Sequence, residues 1–257
     1  MKKLRFLLLI CLLLAAAALV PVQTNAASDA RQQRGWVKEK KKTYYYNKQG
    51  KALKGWWKLS KKWYYFDKKT KTLCRNGIAG NKKDGFYYVD HEGIRTDDKT
   101  MNTAVKFIAQ HAKAAASPKA KLLACYDYFT DKCGYVNHGY KVTPEQLPKF
   151  GMTFMLTDRG NCFMGSSAMC YCAKALGYET RFGIGNSYMG PNAHGWAEVK
   201  VGGTWYLFDI NRTRWFKKKN FRMVTYDKYP VRLVRSKCYY LTVKDGKVEW
   251  KKGKFTD

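Results

Sequence analysis

The sequence predicts an α+β fold in which an N-terminal array of β-hairpins precedes a mixed core, and three patterns carry that prediction. A motif built on Gly-Trp and an aromatic triplet recurs every 20 residues across the first hundred. Stretches with apolar residues at helical spacing follow, and then a period-two ribbon closes on Gly202-Gly203. The 257 residues carry 49 Lys and Arg against 19 Asp and Glu, a formal charge of +30, and 16% are aromatic. Such a chain is too apolar for disorder. Its cations are spread through aromatic sequence, the pattern of folded modules with a cationic surface.

The first element, residues 1–26, reads as a leader. Lys2, Lys3 and Arg5 precede an apolar run from Phe6 to Val20, then Pro21 and a small-residue exit around Thr24, Asn25, Ala26 and Ala27. That is the layout of a secretory signal, with cleavage expected near Ala26. The run falls short of the roughly 20 residues of a bilayer span, and Cys11 lies mid-run behind the bulky Ile10, which argues against lipid attachment. Cleavage there leaves 231 residues at +27 and no second apolar run long enough to span. The exported chain keeps Cys74, Cys125, Cys133, Cys162, Cys170, Cys172 and Cys238, an odd set that leaves at least one thiol unpaired. No CxxC pair exists, and Cys170 and Cys172 sit on different faces of a predicted helix, so neither a metal nor a cofactor is expected.

Residues 27–98 form the array. GWVKEKKKTYYYNKQGKALK from Gly35 is followed by GWWKLSKKWYYFDKKTKTLCR from Gly55 and by a weaker third copy from Asn76 to Arg95, with Ile78 in place of Trp. Self-similarity at so short a period means stacked units. Runs such as Trp63 to Phe66 favour strands, while Asn47 to Gly50, Asp67 to Thr70 and Asp90 to Gly93 are rich in turn formers. Each unit reads as a hairpin that needs its neighbours to bury an aromatic face.

These repeats resemble the Gly-Trp cell-wall-binding repeats of Gram-positive surface proteins, related to choline-binding and glucan-binding repeats. The resemblance spans about residues 35 to 95 and implies that Trp36, Trp56, Trp57, Trp63, Tyr64 and Tyr65 build platforms or cages for wall polymers. A choline cage would exploit the attraction of a cation to aromatic faces. Between Ala27 and Thr100, however, 20 Lys and Arg stand against 8 Asp and Glu, a net +12 that repels a cationic ligand and favours an anionic polymer such as teichoic acid. Read as structure alone, the same aromatics are hairpin core and the lysines a solvated face.

Residues 99–257 form the second unit, with a core at about 101–215. Helices are expected over 103–116 and 118–130, and Pro144 and Pro148 mark a loop. Asn161 is a good N-cap, the residues from Cys162 avoid Pro, and Gly177 ends the segment as a C′ residue. Cys162 therefore stands at a helix N-terminus, where unpaired N–H groups and the dipole favour a thiolate. The ribbon from His194 to Ile210 turns at Gly202-Gly203, so that Val201 faces Thr204, Val199 faces Tyr206 and Ala197 faces Phe208. One face carries Ala197, Val199, Val201, Tyr206, Phe208 and Ile210 and reads as core. The other carries His194, Trp196, Glu198, Leu207 and Asp209, which puts His194 and Asp209 within side-chain reach on a diagonal. A thiol, an imidazole to take its proton and a carboxylate to fix the tautomer make a nucleophile, base and orienter. His91, His111 and His138 have no such company. Tyr239 to Val243, Asp245-Gly246 and Val248 to Trp250 read as a final hairpin completing the sheet.

From about Met101 to Trp215 the sequence resembles the bacterial transglutaminase-like superfamily, with a papain-like fold and Cys, His and Asp in that chain order. The resemblance assigns those roles to Cys162, His194 and Asp209 and implies attack on a Gln side chain or a peptide amide through a thioester, with transferase, deamidase and peptidase outcomes all open. Many relatives carry a Trp or Tyr upstream of the Cys to bind the oxyanion; here only Phe154 lies in that neighbourhood. The expected protein is secreted, held at a Gram-positive cell wall, and acts on protein or peptide substrates. The competing class is a non-catalytic surface protein that binds wall or polyanion. Charge alone points to nucleic acid, which an exported chain does not meet. The oligomeric state leaves no trace in the sequence.

Overall fold

The structure is a computed structural model and describes residues 34–136, 142–187 and 193–256. The leader and His138 lie outside the described residues. The chain runs β1 (Gly35–Glu39), β2 (Lys42–Tyr46), β3 (Gly55–Leu59), β4 (Lys62–Phe66), β5 (Gly77–Asn81), β6 (Gly85–Val89), α1 (Lys99–His111), α2 (Pro118–Asp131), β7 (Gly134–Tyr135), α3 (Leu147–Thr157), β8 (Arg159–Gly160), α4 (Cys162–Ala175), β9 (Glu179–Ser187), β10 (Ala193–Val201), β11 (Thr204–Phe208), α5 (Ile210–Trp215), β12 (Arg222–Val224), β13 (Leu233–Lys244) and β14 (Lys247–Gly253).

The first six strands make three antiparallel hairpins, one per sequence copy. Their tight turns fall at Lys40-Lys41, Ser60-Lys61 and Lys82 to Asp84, not at the Asn- and Gly-rich segments, which instead lead back to a return bridge in each copy: Tyr46 with Ala52, Phe66 with Leu73, Val89 with Arg95. Stacking is regular. Trp36 packs edge-on against Tyr45 of its own hairpin and Tyr64 of the next, and Trp56 repeats this one step on with Tyr65 and Tyr87. The third copy joins the main core. Tyr88 is buried beside Met101 and Phe107 and donates to Asn76 Oδ1 at 3.0 Å, and Asn76 Nδ2 donates to Gly177 O at 3.0 Å. Lys62 also pairs with Asp245 at 2.9 Å, and Gly246 N–H donates to Asp90 Oδ2 at 3.1 Å.

The main core is a six-stranded antiparallel sheet, ordered β12-β11-β10-β9-β13-β14, with α4 laid across one face and α1, α2 and α3 around it. Asp98 caps α1 through Met101 N–H, so that helix starts earlier than its apolar pattern; Ser117 caps α2, with Pro118 in the first turn. The loop expected at Pro144 and Pro148 is in part helix α3, because a proline in a first turn removes no needed hydrogen bond. The turns at Gly202-Gly203 and Asp245-Gly246 have positive φ at both positions, which fixes the registers read from the sequence. The face of the ribbon carrying Trp196 and Leu207 is also buried, under Phe221, Val224 and Tyr229 of the segment around β12.

Candidate functional site

Cys162 is the first residue of α4. The Asn161 side chain accepts from Phe163 N–H at 3.1 Å and Met164 N–H at 3.2 Å, which starts the helix at the cysteine. The approach is tight: a methyl on Gly160 would meet the Phe154 ring at 2.6 Å, and one on Gly195 would meet the Phe163 ring at 2.6 Å. Glycine at 195, beside His194, thus lets the N-terminal turn of α4 settle against β10. Cys162 is 9% exposed, His194 4% and Asp209 fully buried.

The three groups are buried together. His194 Nε2 lies 2.5 Å from Asp209 Oδ2, and Cys162 is near enough to the imidazole to favour its charged form. Asp209 is not in the ribbon. β11 stops at Phe208, and Asp209 turns to cap α5, with Oδ1 accepting from Arg212 N–H at 2.9 Å. Its backbone is pinned from both sides, its N–H donating to Phe221 O at 3.1 Å and its carbonyl accepting from the Tyr126 hydroxyl at 3.0 Å. Tyr229 donates to Oδ2 at 2.5 Å, on the oxygen that His194 shares. Burial works against charge on His194, but the Asp209 carboxylate, with Cys162, overrides it and raises the imidazole from 6.5 to about 10. Burial likewise opposes the Asp209 carboxylate, and His194, Tyr229 and the Arg212 N–H hold it below the ordinary carboxylate value. Below this site, Trp196 Nε1 donates to Glu198 at 2.7 Å, and Glu198 pairs with the fully buried Arg181 at 2.7 Å.

Three tyrosines escaped the sequence reading. Tyr126 and Tyr229 reach Asp209 from 83 and 20 residues away, and no local pattern marks them. Tyr135 is the third. β7 runs parallel to β8, pairing Tyr135 with Gly160, two residues before the cysteine. Burial raises the phenol, and the charge of the nearby Cys162 adds to that. Phe154, the aromatic noted upstream of the cysteine, is buried in the core against Phe129 and offers no donor; the hydroxyl-bearing aromatic on the strand paired with Gly160 is Tyr135.

Comparison with known proteins finds two family models that match parts of the sequence. Residues 106–210 match the transglutaminase-like superfamily. The transglutaminase-like stretch follows a match to the choline-binding repeat over residues 33–77, in the order read from the sequence. Among solved structures, a choline binding domain from Streptococcus pneumoniae is 26% identical over 25% of this chain and 96% of its own, with a TM-score of 0.23. A putative cysteine protease from Cytophaga hutchinsonii is 14% identical, covering 61% of this chain and 53% of its own, with a TM-score of 0.38. The periplasmic domain of TgpA from Pseudomonas aeruginosa is 19% identical, covering 46% and 43%, with a TM-score of 0.34. The chain therefore spans about half the length of these last two. No curated protein matches it significantly.

Of the six ring residues expected at a wall-binding surface, Trp36 and Trp57 are 46% and 44% exposed, while Trp56, Trp63 and Tyr64 are half-buried between hairpins. Tyr65 is 5% exposed, packed against Ala79 and Val89, and belongs to the hairpin core. No helix among the described residues is long and apolar enough to cross a membrane, and no group of three or more His, Cys, Asp or Glu there could hold a metal. The seven described cysteines are free thiols.

Proposed function

We propose that the chain is a secreted cysteine acyl-transfer enzyme, held at a Gram-positive cell wall by its repeats. The observation that carries this is the buried grouping of Cys162, at the start of α4, with the hydrogen-bonded pair His194 and Asp209. The high proton affinity of His194 supports an imidazolium at neutral pH, with the Cys162 sulfur beside it as nucleophile.

The sulfur adds to the carbonyl carbon of a Gln side chain or a peptide bond, and the carbonyl electron pair moves onto oxygen. The donors assigned to that oxyanion are the Cys162 backbone N–H, at the helix N-terminus, and the Tyr135 hydroxyl. Collapse expels ammonia or a peptide amine, which takes its proton from His194, and leaves a thioester. His194 then removes a proton from the acceptor as it attacks, and the thiolate and imidazolium are restored. Asp209 keeps its charge throughout and holds the ring so that Nδ1 faces the sulfur. An amine acceptor yields a crosslink; water yields deamidation or cleavage.

The test is mass spectrometry of a Gln-containing peptide incubated under reducing conditions with the chain and a primary amine, beside Cys162→Ala. Amine incorporation with loss of ammonia identifies a transferase, conversion of Gln to Glu a deamidase, and backbone scission a peptidase. If the wild-type chain and Cys162→Ala both leave a panel of such peptides unchanged, the enzymatic reading fails and the chain is a wall- or polyanion-binding surface protein.

A further inference from the structure

The third repeat closes on a residue that breaks the pattern of the copy before it. Leu73 N–H donates to Thr43 O at 2.8 Å, and one repeat later Arg95 N–H donates to Trp63 O at 2.9 Å, so the two residues hold the same place in successive units. Leu73 is buried with Leu53 and Phe66. Arg95 carries a charge instead, and its guanidinium carbon lies 4.4 Å from the ring centre of Tyr87, 5.2 Å from Trp63 and 5.6 Å from Trp56. Three aromatic rings from the second and third hairpins thus surround a cation that the chain itself supplies.

An open cavity of about 620 Å³ lies against this cluster, rimmed by Lys54, Lys68 and Lys83 and by one carboxylate, Asp84. Asp84 is already engaged by Asn81 Nδ2 at 2.7 Å and by Lys68 at 3.9 Å. Arg95 Nη2 pairs with Asp97 at 2.8 Å. Two further donors of these lining residues, Arg95 Nε and Trp56 Nε1, lie buried behind the cavity surface with no acceptor among the described residues. Buried donors without acceptors are uncommon in native proteins.

We propose that this pocket binds the phosphodiester groups of a polyol-phosphate wall polymer, and that Arg95 closes the aromatic cage to quaternary ammonium ligands. The inference rests on the reading that the array attaches the chain to a wall, and it names the group recognised. A quaternary ammonium needs a vacant set of ring faces and no like charge at contact distance; Arg95 removes the first and supplies the second. A phosphodiester brings one negative charge and two acceptor oxygens, matching the cationic lining of Arg95 and the lysine rim.

The experiment measures binding of the full chain to isolated walls and to poly(glycerol phosphate), with inorganic phosphate, a carboxylate polymer and choline as competitors, for the wild type, Arg95→Leu, Lys68→Gln and Lys83→Gln. Arg95→Leu copies the preceding repeat, and the two exposed lysine variants leave the hairpin packing intact. Expected are salt-sensitive binding to poly(glycerol phosphate), no elution by choline, and a roughly ten- to hundredfold weaker binding for Arg95→Leu. The lysine variants should be weakened less, and only Arg95→Leu should gain sensitivity to choline. Choline elution of the wild type, equal competition by the carboxylate polymer or by free phosphate at matched charge, or unchanged polymer binding in all three variants overturns the assignment. A chain that ignores walls altogether refutes the attachment itself; one that binds walls without competition by poly(glycerol phosphate) refutes only this site.

Discussion

Asp209→Asn separates the charge of the carboxylate beside His194 from its shape. Asparagine caps a helix as well as aspartate does, so the hold on the Arg212 N–H at 2.9 Å survives. What disappears is the negative charge 2.5 Å from His194 Nε2. In the wild type burial opposes the imidazolium, and Asp209 with Cys162 still raises it from 6.5 to about 10. That rise is worth on the order of 5 kcal/mol, and removing one partner of a buried pair costs about 3–5 kcal/mol, so the variant should lose roughly that much at pH 7. The sign follows from linkage. A folded-state value above the unfolded one stabilises fully below about pH 6.5, and the contribution fades as pH rises toward about 10. The lowered Asp209 value is the same pair seen from the acid side, stabilising above its unfolded 3.8 and lost as pH falls. Urea unfolding followed by tryptophan fluorescence between pH 6 and 9.5 should show wild-type stability declining with pH and the variant nearly flat. Parallel slopes, or a loss under about 1 kcal/mol at pH 7, would refute the coupled pair.

Tyr135→Phe should lower kcat about 10²–10³-fold with KM and the iodoacetamide labelling of Cys162 little changed; a rise in KM alone would make Tyr135 a substrate contact and not an oxyanion donor. Gly195→Ala puts a methyl 2.6 Å from Phe163 and 3.2 Å from Phe182, so it should destabilise by about 1–3 kcal/mol and slow Cys162 labelling; normal labelling would show that the helix finds its place without the glycine. Glu198→Gln leaves Arg181 buried without its counter-ion and should cost about 3–5 kcal/mol in a thermal melt, whereas a shift no larger than that of the exposed Glu249→Gln would count against the pair.

The legible parts of the fold were those governed by neighbours in sequence. Asn161 and Gly177 bracket α4 because caps act within a few residues. The Gly202-Gly203 register could be counted because a two-residue turn fixes every pair behind it. Cys162, His194 and Asp209 could be grouped on those two local facts. The hydrophobic face was only half right: alternation marked one side of the ribbon as core but could not show that Phe221 and Tyr229 return to bury the other. Period two runs on through Asp209, and nothing in it announces that the residue turns to cap a short helix. Pro148 suits both a loop and a first helical turn, and the sequence does not choose between them. Tyr135, Tyr229 and Arg95 owe their positions to chain crossings with no short-range signature.

The seam between array and core has a mechanical consequence. Tyr88, Asn76 and Asp90 of the third copy are spent on contacts with α1, Gly177 and Gly246, and Gly177 has no room for a side chain because Asn76 O would lie 2.6 Å away. The last hairpin is thus a foundation stone for the helices above it, and a protein trimmed to begin at residue 99 would expose the apolar seat that Tyr88 fills. Through Gly177 at the end of α4, the helix that Cys162 begins is tied to the third hairpin, so the orientation of the array and that of the thiol are set together.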